Sequence, residues 1–281
     1  MLNFHFDKLA IVSTLNGLCK RSFPIAKICF YLMRLFAKPG AEKIILGRDE
    51  HYFVESPEDG IRIYLAYPGR CLGYIHGVKS NLVAYKDRYV LPNFNEEDSL
   101  KIIDCGGNIG EFSYSFMLAY PNATMFTFEP SPFEFEILQK NHVENKNKIE
   151  LVNKALGEQT GTIDFYVKSE HADSTTIEPL HYEQKIKVPL LTLDNFFRDK
   201  SLLVIDLLKL EAEGAEPEVL MGGTELLQRT RYVTVDWGPE RGMSEDTTLA
   251  SVCNILYPLG FEMLELKETH YTCLFKNKNF S

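Results

Sequence analysis

From Lys101 onward, short apolar runs alternate with amphipathic stretches in a regular order. The runs predict strands at 101–105, 124–129, 149–153, 203–209, 231–236, 261–266 and 271–276. The spacing between them predicts helices at 111–119, 132–144, 192–198, 216–227 and 245–257. Such alternation specifies a mostly parallel sheet covered on both faces. Only Lys267–His270 separates the last two strands. That is too short for a parallel crossover, so they pair as an antiparallel hairpin. The expected class is α/β: a Rossmann-like, doubly wound sheet with an antiparallel C-terminal hairpin.

The pattern before Lys101 differs. Residues 1–48 are basic and apolar, with Lys8, Lys20, Arg21, Lys27, Arg34, Lys38, Lys43 and Arg48 against Asp7 and Glu42. Phe23-Pro24 opens a helix to about Ala37, and Pro39-Gly40 stops it. Lys27, Arg34 and Lys38 share one side of it, and apolar residues cover the rest. This face suits an anionic membrane surface along residues 23–38, the chain's own main domain, or a second subunit of a homo-oligomer. Docking on the main domain or on a second subunit is the simpler reading. Residues 49–100 carry short alternating stretches such as Arg62–Tyr67, with turn signals at Pro57–Gly60 and Pro68-Gly69. They read as a small β element leading into the main domain at 101–281.

Composition narrows the partners. A net charge of −9 argues against nucleic acid, whose binding calls for a basic face. Six cysteines without a Cys-x-x-Cys pair suit neither a zinc site nor a disulfide framework, and reduced thiols fit a cytoplasmic protein. The apolar run Leu9–Cys19 falls short of the roughly 20 residues a membrane span needs. A cytoplasmic location is expected, membrane-peripheral at most.

The run Lys101-Ile-Ile-Asp-Cys-Gly-Gly-Asn-Ile-Gly110 carries the chemistry. A buried strand enters a turn of small residues and then a helix. Gly106, Gly107 and Gly110 let the backbone approach a ligand, and Asn108 tolerates positive φ. A nicotinamide-binding turn needs Gly-x-Gly-x-x-Gly, and this spacing departs from it. Asp104 calls for a cationic group, while the N–H groups at the helix start favour a carboxylate. A zwitterionic amino acid meets both demands, which points to S-adenosylmethionine. Glu129, ending the next strand about 20 residues on, is placed to accept ribose hydroxyls.

These residues, with the segments that follow, resemble the FkbM-type methyltransferases. That family's run of Asp-x-Gly-Ala-Asn-x-Gly, Glu-Pro, Leu-x-x-Asn and Lys-x-Asp-x-Glu-Gly-Ala-Glu has counterparts here. They are Asp104-Cys-Gly-Gly-Asn-Ile-Gly110, Glu129-Pro130, Leu138-Gln-Lys-Asn141 and Lys209-Leu-Glu-Ala-Glu-Gly-Ala-Glu216. Val152–Leu156, Leu191–Asp194 and Glu218–Gly223 are further echoes. The resemblance covers about residues 95–276 and implies S-adenosylmethionine as cofactor, with Pro130 and Ala155 joining Asp104, the glycines, Asn108 and Glu129 in holding it. It also implies O-methylation of a sugar hydroxyl in a glycan or glycolipid. Three positions depart from the pattern: Gly107 for alanine, Glu211 for aspartate, and Asp236 where many relatives carry glutamate.

An alcohol acceptor needs a base, and strand ends line the crevice of such sheets. Glu211, Glu213 and Asp236 are the candidates. Glu216 either faces substrate or caps a helix. Ser174 and Thr175, in the loop His171–Thr176, suit a polar acceptor, and Trp237 suits either a sugar ring or a packing role. A carboxylate cluster can hold a cation, yet no histidine is committed there, so no metal is expected. Two other readings stand: a small natural product or nitrogen atom as acceptor, and a non-catalytic module retaining the fold.

Overall fold

The computed structural model describes residues 22–35, 43–168, 173–200 and 204–280. The chain divides into two compact units, one ending at Ala84 and one starting at Tyr85.

The first unit opens with α1 (Phe23–Arg34), where Pro24 occupies the first turn and needs no N–H partner. Three antiparallel strands follow: β1 (Ile45–Arg48), β2 (Tyr52–Ser56) and β3 (Ile61–Leu65). The alternation of β3 puts Ile61, Ile63 and Leu65 inward. A 3-10 segment at Pro68–Tyr74 leads to α2 (Val78–Arg88), which carries the chain into the second unit. The sequence reading has only β structure across 49–100 and passes over α2, whose mixed polarity gives no clear helical stripe.

The second unit contains β4 (Lys101–Cys105), α3 (Glu111–Ala119), β5 (Thr124–Phe128), α4 (Pro132–Asn141) and β6 (Ile149–Val152). A side sheet follows from β7 (Ala155–Leu156), β8 (Gly161–Val167) and β9 (Gln184–Leu191), then α5 (Leu193–Phe197) and β10 (Ile205–Leu210). Two short helices, α6 (Glu216–Met221) and α7 (Thr224–Leu227), precede β11 (Thr230–Asp236). The chain ends with a small hairpin of β12 (Pro239–Arg241) and β13 (Asp246–Thr247), α8 (Leu249–Leu256), β14 (Phe261–Lys267) and β15 (Thr272–Asn277).

Seven strands form the main sheet in the order β14-β15-β11-β10-β4-β5-β6. Pairing is parallel from β11 through β6, and β15 runs antiparallel to both β11 and β14. This is the Rossmann-like α/β arrangement expected, C-terminal hairpin included. Ile205, Leu207, Leu208 and Leu210 of β10 are wholly buried because helices cover both faces. Each such side chain contributes about 1.5–3 kcal/mol by leaving water. The strand order reverses between β4 and β10, which opens a crevice at their carboxyl ends.

Two expectations need correction. The helix read over 216–227 is two helices, because Gly222 and Gly223 interrupt it. The helix read from 245 begins at Leu249, the preceding residues being taken up by β13. The side sheet β7-β9-β8 was not anticipated. It lies outside the main sheet and has its own core of Ala155, Phe165, Val188 and Leu190.

Candidate functional site

The turn after β4 is fastened to its neighbours by backbone. Gly106 and Gly107 both donate to the Phe128 carbonyl, at 3.1 and 2.9 Å. Gly106 has φ +80°, and a Cβ there would lie 1.9 Å from the Glu211 carbonyl oxygen. A Cβ on Gly107 would fall 2.2 Å from Thr127 Cγ2. Only glycine lets the turn pass between β5 and the segment after β10. Asn108 takes φ +49° and Gly110 caps α3 at φ +90°, as positive-φ positions of the turn.

Glu129 lies beside this turn and is almost wholly buried. One carboxyl oxygen accepts from the Asn108 N–H at 2.7 Å, the other from the Ser131 N–H at 2.8 Å. Burial and the nearby Glu134 push its pKa up to about 8, against the pull of those two N–H groups. Asn153 clamps the outgoing chain by donating to the Glu129 and Pro130 carbonyls. Ala155 packs into the core of the side sheet.

Asp104 is fully buried, and neither carboxyl oxygen has a hydrogen bond. Its neighbour is Lys209, whose Nζ lies 3.1 Å from Oδ1. That ammonium has three protons and meets the carbonyls of Cys105 and Gly106 at 3.1 and 2.8 Å and Glu211 Oε2 at 2.9 Å. The Asp104 contact is therefore an ion pair with poor donor geometry. Burial works against the Lys209 charge, but Asp104 and Glu211 outweigh it and raise its pKa. Burial raises Asp104, and Lys209 partly offsets that.

At the ends of β10 and β11 the side chains are coupled by charge. Burial opposes ionisation of Glu211, but Lys209, Arg88 and the Tyr89 hydroxyl hold its pKa at about 2. Arg88 Nη2 stands 3.6 Å from Glu211 and 3.2 Å from Asp236. Asp236 is raised to about 6 by burial and the Glu211 charge, with Arg88 opposing.

A second acidic group lies beyond these. Glu213, at φ +52°, is raised well above the ordinary carboxylate range by burial and by Glu240. Glu240 is raised to about 8 by burial, Asp236 and Glu211. Both line a cleft of about 120 Å³ together with Lys168, Asp173 and Thr175. The Thr175 hydroxyl donates to the Glu213 carbonyl at 2.7 Å and fixes that backbone. Ser174 Oγ accepts from the Lys168 N–H. His171 lies outside the described residues. Glu216 is buried, accepts from the N–H groups of Ala212 and Gly214, and is raised to about 7 by burial. Trp237 stands edge-on to Tyr271 at 5.2 Å, its indole N–H buried without an acceptor. Among the described residues, no group of three or more His, Cys, Asp or Glu is arranged to hold a metal ion.

A family model described as the methyltransferase FkbM domain matches residues 104–263. The chain belongs to this family. S-adenosylmethionine is the cofactor that goes with it. The 2-O-methyltransferase NoeI of Sinorhizobium fredii is 22% identical over 199 residues, which cover 65% of this chain and 82% of NoeI. The hexuronic acid methyltransferase AglP of Haloferax volcanii is 27% identical over 149 residues, 53% of this chain and 59% of AglP. A crystal structure of methyltransferase FkbM from Methylobacillus flagellatus aligns with TM-score 0.46 at 16% identity, over 66% of this chain and 45% of that one.

Sequence reasoning missed Arg88, Tyr89 and Glu240 as members of the site, and took Lys209 only as the first letter of a motif. One signal was available: Lys209 interrupts the apolar run from Leu207 to Leu210, and a buried lysine requires partners.

Proposed function

We propose that the protein transfers a methyl group from S-adenosylmethionine to a hydroxyl oxygen of a sugar in a glycan or glycolipid. The observation that carries the cofactor assignment is the pairing of Glu129 with Asp104 around one glycine turn. Each Glu129 oxygen has accepted one backbone N–H and keeps a lone pair for a ribose hydroxyl. Asp104, buried at the end of β4 and paired with the Lys209 ammonium, puts negative charge beneath the same turn. The residues present fit the cofactor. Bound there, it supplies an electrophilic methyl sulfonium, and the protein's task is to align the acceptor and take its proton.

Asp236 is the base in this reading. At about 6 it is ionised near neutrality and basic enough to accept a proton. Glu211 at about 2 is too weak a base, and its ion pairs with Lys209 and Arg88 make it a positioning residue. Burial and repulsion from neighbouring carboxylates push both Glu213 and Glu240 toward the protonated form, and they serve as hydrogen-bond groups for the acceptor in the cleft they line with Thr175. Glu216 holds the turn through the N–H groups of Ala212 and Gly214. The sugar is supported by AglP, described as a hexuronic acid methyltransferase, and the oxygen by NoeI, described as a 2-O-methyltransferase.

Two assays test this. Calorimetric titration with S-adenosylhomocysteine should show saturable binding, weakened about tenfold or more in Glu129→Ala, which removes both carboxyl oxygens. A methyl-transfer screen over uronic acids, neutral sugars, small phenols and amines should label a sugar hydroxyl. Labelling of an amine or phenol alone would replace the sugar reading and leave the cofactor assignment standing.

A further inference from the structure

Helix α1 has two apolar sides and needs only one for its own unit. Ala26, Cys29 and Phe30 are buried. Ile25, Ile28, Leu32 and Leu35 are 38, 61, 54 and 77% exposed. Spacings of three and four residues put these four in one row along the helix. Lys27 and Arg34, two turns apart, flank the row on one side, and Arg34 also donates to the Ile75 carbonyl. The chain up to Arg48 has eight basic residues against two acidic ones, although the protein as a whole carries −9.

We propose that α1 is an in-plane anchor for an anionic lipid bilayer, with the Ile25–Leu35 row among the upper acyl chains and the basic flank at the head groups. An exposed apolar stripe beside a cationic border is the combination that binds such surfaces. Twelve residues extend only about 18 Å, against a hydrocarbon core of about 30 Å, so the helix lies along the membrane. No helix among the described residues is long and apolar enough to cross one. A second copy of the chain is a weaker occupant. Four partly exposed side chains offer far less than the ~800 Å² per partner of a stable interface. A fluid bilayer needs no such area, since each basic residue near an anionic surface adds its own attraction.

The test is co-sedimentation of the full chain with phosphatidylcholine vesicles, with and without about 30% phosphatidylglycerol. Binding to the anionic vesicles is expected, weakening as salt screens the charges. The double variant Ile28→Asp/Leu32→Asp should lose about tenfold or more of that binding with an unaltered circular dichroism spectrum. Lys27→Glu should lose a smaller part. Three results would overturn the proposal: no binding to anionic vesicles, equal binding by the double variant, or a dimer in analytical ultracentrifugation that the same variant dissociates.

Discussion

In the turn after β4 and at Glu129 after β5 the polar groups are met by backbone. Glu129 rests on the N–H groups of Asn108 and Ser131, and the turn hangs from the Phe128 carbonyl. At the ends of β10 and β11 they are met by side chains from far along the chain. Glu211 and Asp236 share Arg88 from the end of α2, and Lys209 joins Glu211 to Asp104. The first corner is fixed by steric and hydrogen-bond rules that one stretch of sequence satisfies. The second is a balance of charges, in which each carboxylate's protonation depends on its neighbours. A corner of the first kind suits a ligand that is always the same, and one of the second kind suits a site tuned to one acceptor.

The sharpest way to break this comparison is Asp236→Asn, the largest effect expected. If Asp236 is the base, kcat falls by about 10²- to 10⁴-fold while affinity for S-adenosylhomocysteine holds. In the parent, kcat should rise with pH through about 6, and the variant should lose that limb. A variant within a few-fold of the parent would remove Asp236 from the chemistry and leave Glu240 as the next carboxylate to test. Lys209→Met comes second. It leaves Asp104 and Glu211 buried without their shared cation, which costs about 3–5 kcal/mol of stability. Urea denaturation measures it, and Lys209→Met/Glu211→Gln should recover part of the loss. A Lys209→Met protein as stable as the parent would mean that the two corners are not joined through this residue.

The same contrast explains what could be read in the sequence. The parallel sheet, its terminal hairpin, the glycine turn and Glu129 were legible because each depends on short-range pattern. An apolar strand followed by Asp104-Cys-Gly-Gly-Asn restricts the backbone whatever the rest of the chain does. Arg88 and Tyr89 were not legible as partners of Glu211. They lie over 100 positions earlier, on a helix whose polarity pattern does not reveal it. Glu240 follows Trp237-Gly238-Pro239 and returns toward Asp236, close enough that a Cβ on Gly238 would sit 3.0 Å from Glu240 Oε1 and 3.4 Å from Asp236 Oδ1. Such a return depends on loop geometry rather than on residue spacing. The row Ile25–Leu35 was visible as an apolar face, but only the buried side of α1 distinguishes what packs from what remains exposed.

The smallest effect concerns stability against pH, to which both corners contribute. Glu129 and Glu240 at about 8, and Glu216 at about 7, retain protons in the folded state that an unfolded chain releases near 4.5. Their folded pKa values are raised, so the stability they contribute is complete below about 4.5 and is lost as pH rises toward 8. His142 acts in the other direction. Burial holds it neutral down to about 4, so stability falls as the pH drops below about 6.5 and the unfolded chain takes up a proton. The two trends predict that urea-denaturation stability without ligand is greater at pH 6.5 than at pH 8. Glu240→Gln and Glu129→Gln should each flatten the alkaline decline, since each removes one retained proton. A stability that rises from pH 6.5 to 8 would mean that these carboxylates are ionised in the folded protein. The charge balance around Asp236 would then have to be redrawn with Glu240 ionised beside it.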